Sequence, residues 1–282
     1  MRVAVIGATG VIGRHVIPRL LEHGHLVRAI VLHPERAAWQ SVLGVEVVPG
    51  NILDRSTLQG VTDGCEVAIN LATSIPRPGQ PGDYSMNDRI RREGTRNFLD
   101  ACFEGGAHRF IQQSITFLYG THGSQIMTED APLKPPPVVY SAIDMEDTVR
   151  AAPIDWLILR GGALYGPGTG REDHWRQLAQ EGQLRWIENG GRLISLIHVV
   201  DLARAFVAAS QHGRSGSILN VVDDDPVTER DLYTYLAAQI GAPAPGPGGG
   251  PPPPFPACSN ARAKSELSWA PLYPSYRSGL VW

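Results

Sequence analysis

A glycine-rich turn near the N-terminus has the residue types and spacing of a phosphate-binding loop. Three glycines, three residues apart, begin at Gly7, after the apolar run Val3–Ile6 and before a segment with helical periodicity. Glycines permit a tight turn close to phosphate, while free N–H groups and the positive end of the helix dipole attract the anion. Because a strand and a helix flank the motif, we expect a bound dinucleotide. The predicted pyrophosphate contacts are Gly7, Thr9, Gly10, Val11, Ile12 and Gly13.

A second group of side chains could transfer protons. Ser114 and Thr116 follow a strand-like run, and Tyr140 stands four residues before Asp144. A tyrosine titrates near pH 10, so its use at neutral pH requires roughly 4 kcal/mol of differential stabilisation of the phenolate. An ionised Asp144 nearby would raise the pKa of Tyr140 further. These four residues are the catalytic candidates, and the alternative for Tyr140 is packing at the start of a helix.

Alternating strand-like and helix-like segments must position these side chains. Such alternation indicates a parallel sheet covered on both faces, with ligands at the carboxyl ends of the strands. The predicted strands are Val3–Ile6, Leu26–Leu32, Val45–Val48, Val67–Leu71, Arg109–Gln113, Trp156–Leu159, Leu193–Ile197 and Ile218–Val222. The predicted helices are Val11–His23, Thr57–Gly60, Asn87–Phe103, Ser141–Ala151, Asp201–Ser210 and Asn260–Trp269. The predicted fold class is α/β, a doubly wound parallel sheet with a small, discontinuous C-terminal substrate lobe.

Local signals set the boundaries of this fold. Gly161–Gly168 is expected to be a loop, and residues 241–256 a flexible or polyproline-like linker. Asp201 and Thr228 are expected to cap helices. In the third predicted helix, Arg91 is expected on a different face from the apolar one. The predicted dinucleotide-binding domain is 1–162 with 192–222 returning to it, and the predicted substrate lobe is 163–191 with 223–282.

The composition argues against several classes of partner. The net charge of −3 comes without runs of like charge, and the longest apolar runs are strand-sized. We therefore expect neither a nucleic-acid partner nor a membrane span. Cys65, Cys102 and Cys258 are odd in number and far apart, which is typical of reduced thiols in a cytoplasmic protein, and no spacing predicts a metal site. A small-molecule substrate is expected, and a homodimer is possible.

Motifs along nearly the whole chain resemble the extended short-chain dehydrogenase/reductase superfamily, also called the NAD-dependent epimerase/dehydratase family. Each motif is modest alone, but their order is specific. After the glycine turn, the matching segments are 51–54, 70–72, 114–120, 159–168, 197–201, 259–269 and 273–276. The resemblance implies a nicotinamide cofactor in a Rossmann fold.

The resemblance also implies a Tyr-x-x-x-Lys pair, which this chain lacks. In the family the tyrosine is the general acid or base beside the nicotinamide, and the lysine holds the ribose and lowers the tyrosine pKa. One register places Tyr140 and Asp144 at these positions. Counting back along the chain from Arg160 through Glu146 places Val138 at the tyrosine position and Ala142 at the lysine position instead. Neither register supplies the lysine.

The chain also lacks the family's catalytic hydroxyl at its usual position, and its other acid and base candidates are few. The usual position of the catalytic hydroxyl falls on Ile115, between Ser114 and Thr116. Only two of the 25 basic residues are lysines, so Lys134, on a proline-stiffened loop, is one alternative source of an ammonium group. His198 could act as an acid or base, although a structural role at the end of a strand is favoured.

The choice between NAD and NADP depends on the end of the second strand. A strict NAD enzyme usually offers a carboxylate about 20 residues after the glycines, whereas this chain has Leu32 and His33 there. Arg14 and Arg36 could both face a 2′-phosphate, so NADP is slightly favoured over NAD. The other predicted cofactor contacts are His33, Arg36, Asn51, Ile52, Leu71, Ala72 and Thr73.

The leading hypothesis is an NAD(P)-dependent oxidoreductase or epimerase of this atypical type, acting on a small metabolite. Tyr165 and Tyr84 are the predicted substrate contacts. One alternative is a non-catalytic NAD(P)-binding sensor or scaffold similar to NmrA-type proteins. The other is a non-redox cyclase or isomerase that reuses the cofactor cleft. The retained loop around Tyr165 favours the enzyme.

Overall fold

Parallel strands dominate the structure, a computed structural model that describes residues 1–76, 78–80, 82–120, 123–187, 190–248 and 255–280. The strands of the described residues are β1 (Arg2–Ile6), β2 (Leu26–Val31), β3 (Glu46–Pro49), β4 (Val67–Asn70), β5 (Arg109–Ile115), β6 (Ile126–Met127), β7 (Asp155–Gly161), β8 (Ala163–Tyr165), β9 (Arg185–Ile187), β10 (Leu193–Ile194), β11 (Leu196–His198), β12 (Ser217–Val221), β13 (Val227–Thr228), β14 (Gly246–Gly248) and β15 (Ala257–Cys258).

Helices connect and cover these strands. They are α1 (Gly13–Glu22), α2 (Ala38–Val42), α3 (Ser85–Arg89), α4 (Thr95–Glu104), α5 (Tyr140–Arg150), α6 (Arg171–Gln180), α7 (Val199–Gln211), α8 (Glu229–Gln239), α9 (Ala261–Leu267) and α10 (Tyr276–Gly279). A π turn, Ile90–Gly94, joins α3 to α4. Single 3₁₀ turns cover Pro34–Ala37, Arg55–Leu58, Thr116–Tyr119 and Pro137–Val139.

The seven-stranded sheet has the order β12-β7-β5-β4-β1-β2-β3, and all of its pairs are parallel. The chain reverses its direction of growth between β1 and β4, which is the switch point where open α/β sheets bind ligands. The predicted fold class is therefore confirmed. Apolar residues from α1, α7 and α9 cover one face of the sheet, and residues from α4 and α5 cover the other.

A third apolar cluster lies outside the sheet. It joins β8, α6, α8 and α10 through side chains that include Tyr165, Trp175 and Leu232. The division of the chain into a domain and a lobe at residue 162 stays a prediction. Within the predicted linker, β14 pairs in parallel with β9, while residues 249–254 lie outside the described part of the chain.

Three local predictions were wrong. The expected loop Gly161–Gly168 contains β8, which pairs with β11, because the positive φ angles that require glycine begin only at Gly166. The helix expected at Thr57–Gly60 is a single 3₁₀ turn that starts after Asp54. The strand Leu193–Ile197 is interrupted at Ser195, whose N–H donates to the carbonyl of Pro256 instead of continuing the ladder.

The cap of α7 also differs from the prediction. His198, and not Asp201, is the N-cap, and its Nδ1 accepts a hydrogen bond from Val200 N at 3.3 Å. The Asp201 carboxylate instead accepts the N–H groups of Leu272 and Tyr273 and so fixes the C-terminal segment on this helix. The predicted cap at Thr228 is confirmed, since its hydroxyl accepts from Asp231 N.

Candidate active site

The glycine turn lies at the switch point of the sheet, against the end of β4. Gly7 has φ +79°, and a Cβ there would lie 2.6 Å from the backbone nitrogen of Ala72. At Gly13 a Cβ would lie 2.5 Å from the carbonyl oxygen of Ala8. Neither position has room for a side chain, so glycine at both lets the turn pack closely against the neighbouring backbone.

The turn has the donors that a pyrophosphate requires. Gly10 N donates to Gly7 O at 3.0 Å and closes the turn, after which α1 begins. Among the hydrogen bonds of the described residues, none occupies the N–H groups of Val11 and Ile12. Free N–H groups ahead of a ten-residue helix attract an anion. The residues present therefore fit the diphosphate of a dinucleotide.

The adenosine side of the cleft has no carboxylate at the end of β2. Leu32 is 59% exposed there, and the next acidic residue, Glu35, pairs with His33 at 3.3 Å. Arg36 is exposed and forms no ion pair in the described ranges. The side chain of Ile52 is buried near the end of β3, and its carbonyl accepts from Asn97.

The strands next to the turn place further predicted contacts at the same edge. Asn51 accepts the N–H of Leu53 through its side chain, which fixes the loop after β3. Leu71 follows β4 directly, its N–H bonded to Ile6 O, and Ala72 N donates to the side chain of Asn70. Thr73, one residue further, is exposed.

Ser114 lies inside a buried polar network at the end of β5. Its hydroxyl donates to Glu146, which also accepts two hydrogen bonds from Arg160, at 2.9 and 2.6 Å. Arg160 donates a third to the hydroxyl of Tyr119, which in turn donates to Asn220. Each of the five is at most 3% exposed. Burial raises the pKa of Tyr119 to about 12, and the network ties β5, β7 and β12 to α5.

The two candidate registers for the family's tyrosine and lysine place different residues at the start of α5. Ala142 is fully buried under the 3₁₀ turn after β5, and Val138 stands just before the helix, half-exposed. Tyr140 is 50% exposed, and Asp144 forms a surface ion pair with Arg92 at 2.6 Å. The Glu146–Arg160 contact agrees with the register that puts Val138 and Ala142 at the two catalytic positions.

Thr116 differs from Ser114 in its hydrogen bonding. Its side chain is 1% exposed at the carboxyl end of β5, and its hydroxyl has no hydrogen-bond partner among the described residues. Ile115, between the two, packs against the apolar cluster under α5.

The two tyrosines predicted to contact substrate have different surroundings. Tyr165 is fully buried in the third cluster, and its hydroxyl donates to Ser275 O at 3.4 Å. Beside it, His198 is 3% exposed, and burial lowers the pKa of His198 to about 4. Tyr84 is 39% exposed directly before α3. Lys134 lies in the loop ahead of α5, and its backbone N–H bonds to Leu118 O.

Sequence reasoning missed Arg91. It was expected on another face than the apolar one, yet it is 5% exposed and donates to Ser141 Oγ at 3.2 Å. That prediction was wrong because Arg91 stands four residues after the buried Asn87 and seven before the buried Phe98, a spacing that puts all three on one helix face. The cluster of arginines in this segment is the sequence feature that could have pointed to an anion-binding side chain.

Comparisons with known proteins agree with this fold. The NAD dependent epimerase/dehydratase family matches residues 3–222, so the chain belongs to this family. A Streptomyces protein named 3-diazoavenalumate denitrifying reductase is 33% identical over 99% of both chains. The ceramide reductase of Caulobacter vibrioides is 31% identical over 85% of this chain and 69% of its own. The chain is therefore an NAD(P)-dependent enzyme of the oxidoreductase and epimerase type.

A solved structure shows the same fold. DesIV, a dTDP-glucose 4,6-dehydratase from Streptomyces venezuelae with NAD bound, has a TM-score of 0.84 at 21% identity, over 99% of this chain and 94% of its own. Within the described residues, no helix is long and apolar enough to cross a membrane. The same part of the chain contains no group of three His, Cys, Asp or Glu side chains placed to hold a metal ion.

Proposed function

We propose that this protein is an NADPH-dependent reductase that replaces the diazo group of a small aromatic acid with hydrogen and releases N₂. The observation that carries the proposal is the apolar pair Val138 and Ala142, where the family has its proton-transferring tyrosine and lysine. The relative that covers 99% of both chains, named for a denitrifying reduction of a diazo compound, supports it.

Reduction of a carbonyl and reduction of a diazo group differ in whether they need a proton donor, which is why the pair Val138 and Ala142 matters. Reduction of a carbonyl leaves an alkoxide that must receive a proton, and family members use the tyrosine for that purpose. A bound NADPH would supply a hydride to the arene carbon, which forms a C–H bond while the C–N bond breaks and N₂ leaves with the electron pair. One cation and one hydride give neutral products, so no proton donor is required. A site without the Tyr–Lys pair can promote this reaction by binding and orientation.

The starts of α3 and α5 carry exposed side chains suited to a planar aromatic substrate. Three large apolar or aromatic side chains, Tyr84, Met86 and Tyr140, are 39–50% exposed at the starts of α3 and α5, and these two helices contact each other. Aromatic rings are bound well by such side chains. An aromatic substrate is also favoured by chemical stability, because arene diazonium ions survive in water for longer than alkyl diazonium ions, which lose N₂ spontaneously.

NADP is the cofactor that the adenosine side favours. We assign the 2′-phosphate to Arg36, with Arg14 beside the glycine turn, where its Nε donates to Thr9 O at 3.1 Å. The end of β2 carries the apolar Leu32 and not a carboxylate, and the first acidic residue after it, Glu35, contacts His33. The glycine turn and the N–H groups of Val11 and Ile12 would hold the diphosphate of either cofactor.

A carbonyl reductase is the second candidate, and Thr116 is the observation that favours it. Its buried hydroxyl without a partner could donate a hydrogen bond to a substrate oxygen at the end of β5. The Caulobacter relative, named a ceramide reductase, is another reductase among the similar proteins.

Turnover with two kinds of substrate separates these candidates. The purified protein would be incubated with NADPH and the diazonium salt of 3-aminocinnamate, and in parallel with a panel of ketones and aldehydes. We expect one N₂ and one cinnamate for each NADPH oxidised. NADPH oxidation by a ketone without N₂ release from the diazonium salt would support the second candidate. Tight NADPH binding without turnover of either would support the sensor.

The homodimer and the cytoplasmic location are also proposals. The three cysteines are buried and form no disulfide in the described residues, which supports a reducing compartment. Light scattering of the purified protein tests the dimer.

A further inference from the structure

Four arginines of the described ranges are more than nine-tenths buried, and three of them pair with a carboxylate. The three pairs are Arg28–Glu46, Arg160–Glu146 and Arg192–Glu229. The fourth, Arg91, has no carboxylate oxygen within 4.0 Å in the part of the chain that the structure describes. A desolvated cation without an anionic partner costs folding free energy, and this cost calls for an explanation.

Arg91 lies beside the position of the missing lysine. It projects from the π turn, and its Nη1 donates to the hydroxyl of Ser141, the second residue of α5. Ser141 is adjacent to Ala142, which occupies the position of the lysine in one register. π turns occur frequently at functional sites because they redirect a side chain.

The charge of Arg91 is only partly balanced by its surroundings. Burial lowers the pKa of Arg91, while Asp88, Glu146 and Tyr84 act more weakly in the opposite direction. Glu146 is already neutralised by its two hydrogen bonds to Arg160. The only hydrogen-bond acceptor of Arg91 in the described residues is a neutral hydroxyl, so most of its N–H donors remain available.

We propose that Arg91 is the anion subsite of the cleft and binds the carboxylate of the aromatic acid. The identity of this acid rests on the proposed function. A guanidinium presents its N–H groups in a planar fork that matches the two oxygens of a carboxylate. Tyr84, near enough to Arg91 to influence it and 39% exposed, supplies an aromatic surface next to the fork.

A binding experiment with unreactive probes tests this assignment. Cinnamate and its neutral analogue cinnamamide would be titrated calorimetrically into enzyme saturated with NADP⁺. We expect wild-type enzyme to bind cinnamate at least tenfold more tightly than cinnamamide. Arg91→Gln should remove this preference by weakening cinnamate alone. Arg91→Lys should keep part of it, and Arg96→Gln, an exposed change on α4, should keep all of it.

The binding of the two probes tests the Arg91 subsite independently of whether the enzyme releases N₂. Equal binding of the two probes by wild-type enzyme would refute it, as would an unchanged preference in a folded Arg91→Gln or Arg91→Lys variant. If Arg91→Gln does not fold, a reduced preference in the lysine variant supports the subsite. Failure to release N₂ together with a carboxylate preference that depends on Arg91 would reject the proposed reaction but not the subsite.

Discussion

The Ser114 hydroxyl donates a hydrogen bond to the buried carboxylate of Glu146, 32 residues away in the sequence. This bond joins the end of β5 to α5, and Arg160 adds two hydrogen bonds from β7 to the same carboxylate. A hydroxyl committed in this way, 1% exposed, is poorly placed to serve a substrate. The structural cost of losing the carboxylate can be measured directly.

Glu146→Gln should destabilise the protein strongly. The change leaves the buried Arg160 guanidinium without a counter-charge, and breaking such a pair costs about 3–5 kcal/mol, or roughly 10 °C in Tm for a chain of this size. Asp147→Asn is the matched control, because Asp147 is exposed and pairs only with Arg150 at 3.5 Å. A thermal melt of the two variants checks this, and equal Tm values would show that the network is unimportant.

Asp223→Asn should stabilise the protein at neutral pH. Asp223 is 1% exposed, both carboxylate oxygens lack partners among the described residues, and burial holds the pKa of Asp223 well above its ordinary value. A raised folded-state pKa favours folding only below the unfolded value near 3.8, and that advantage is lost as the pH rises.

The gain from Asp223→Asn should therefore be absent near pH 3.5 and should grow above pH 4. Tm would be recorded from pH 3.5 to 8 against Asp147→Asn, an exposed change on α5. A gain at pH 8 no larger than at pH 3.5 would contradict the burial of an unpaired carboxylate.

Gly7→Ala should abolish dinucleotide binding. A Cβ at this position meets the backbone of Leu71 and Ala72 at 2.6 Å, which displaces the turn that holds the diphosphate. Gly24→Ala is the control, since Gly24 has a similar φ of +74° but open space around it. Fluorescence titration with NADPH should show at least a tenfold loss for the first variant only. Comparable affinities for both would remove the glycine turn from the binding site.

Arg36→Ala should weaken NADPH binding about tenfold while leaving NADH binding unchanged. A charge-assisted hydrogen bond to the 2′-phosphate is lost, and NADH has no such group. Arg96→Ala, which removes an equal charge elsewhere, should change neither affinity. A parallel loss for both cofactors, or none, would place the phosphate elsewhere.

Strong periodicity and the glycine motif made the sheet and the cofactor turn predictable from the sequence. The strands of two or three residues were not predictable, because a pairing such as that of β8 with β11 joins residues 33 apart in the sequence. The burial of Arg91 was missed because a charged side chain is usually exposed, although its spacing from Asn87 and Phe98 puts it on the buried face of the helix. The choice between the two registers around Ala142 stays a prediction, because it depends on the family's tyrosine and lysine positions, which this chain fills with other residues.

Isotope labelling tests the central claim, a reduction without a proton donor, most directly. The protein would convert the diazonium salt of 3-aminocinnamate in H₂O with NADPH deuterated at C4, and in D₂O with unlabelled NADPH. We predict that the cinnamate formed carries deuterium at the former diazo carbon in the first experiment and none in the second. Deuterium at that carbon from the solvent, or a reaction that proceeds equally well without NADPH, would contradict the account.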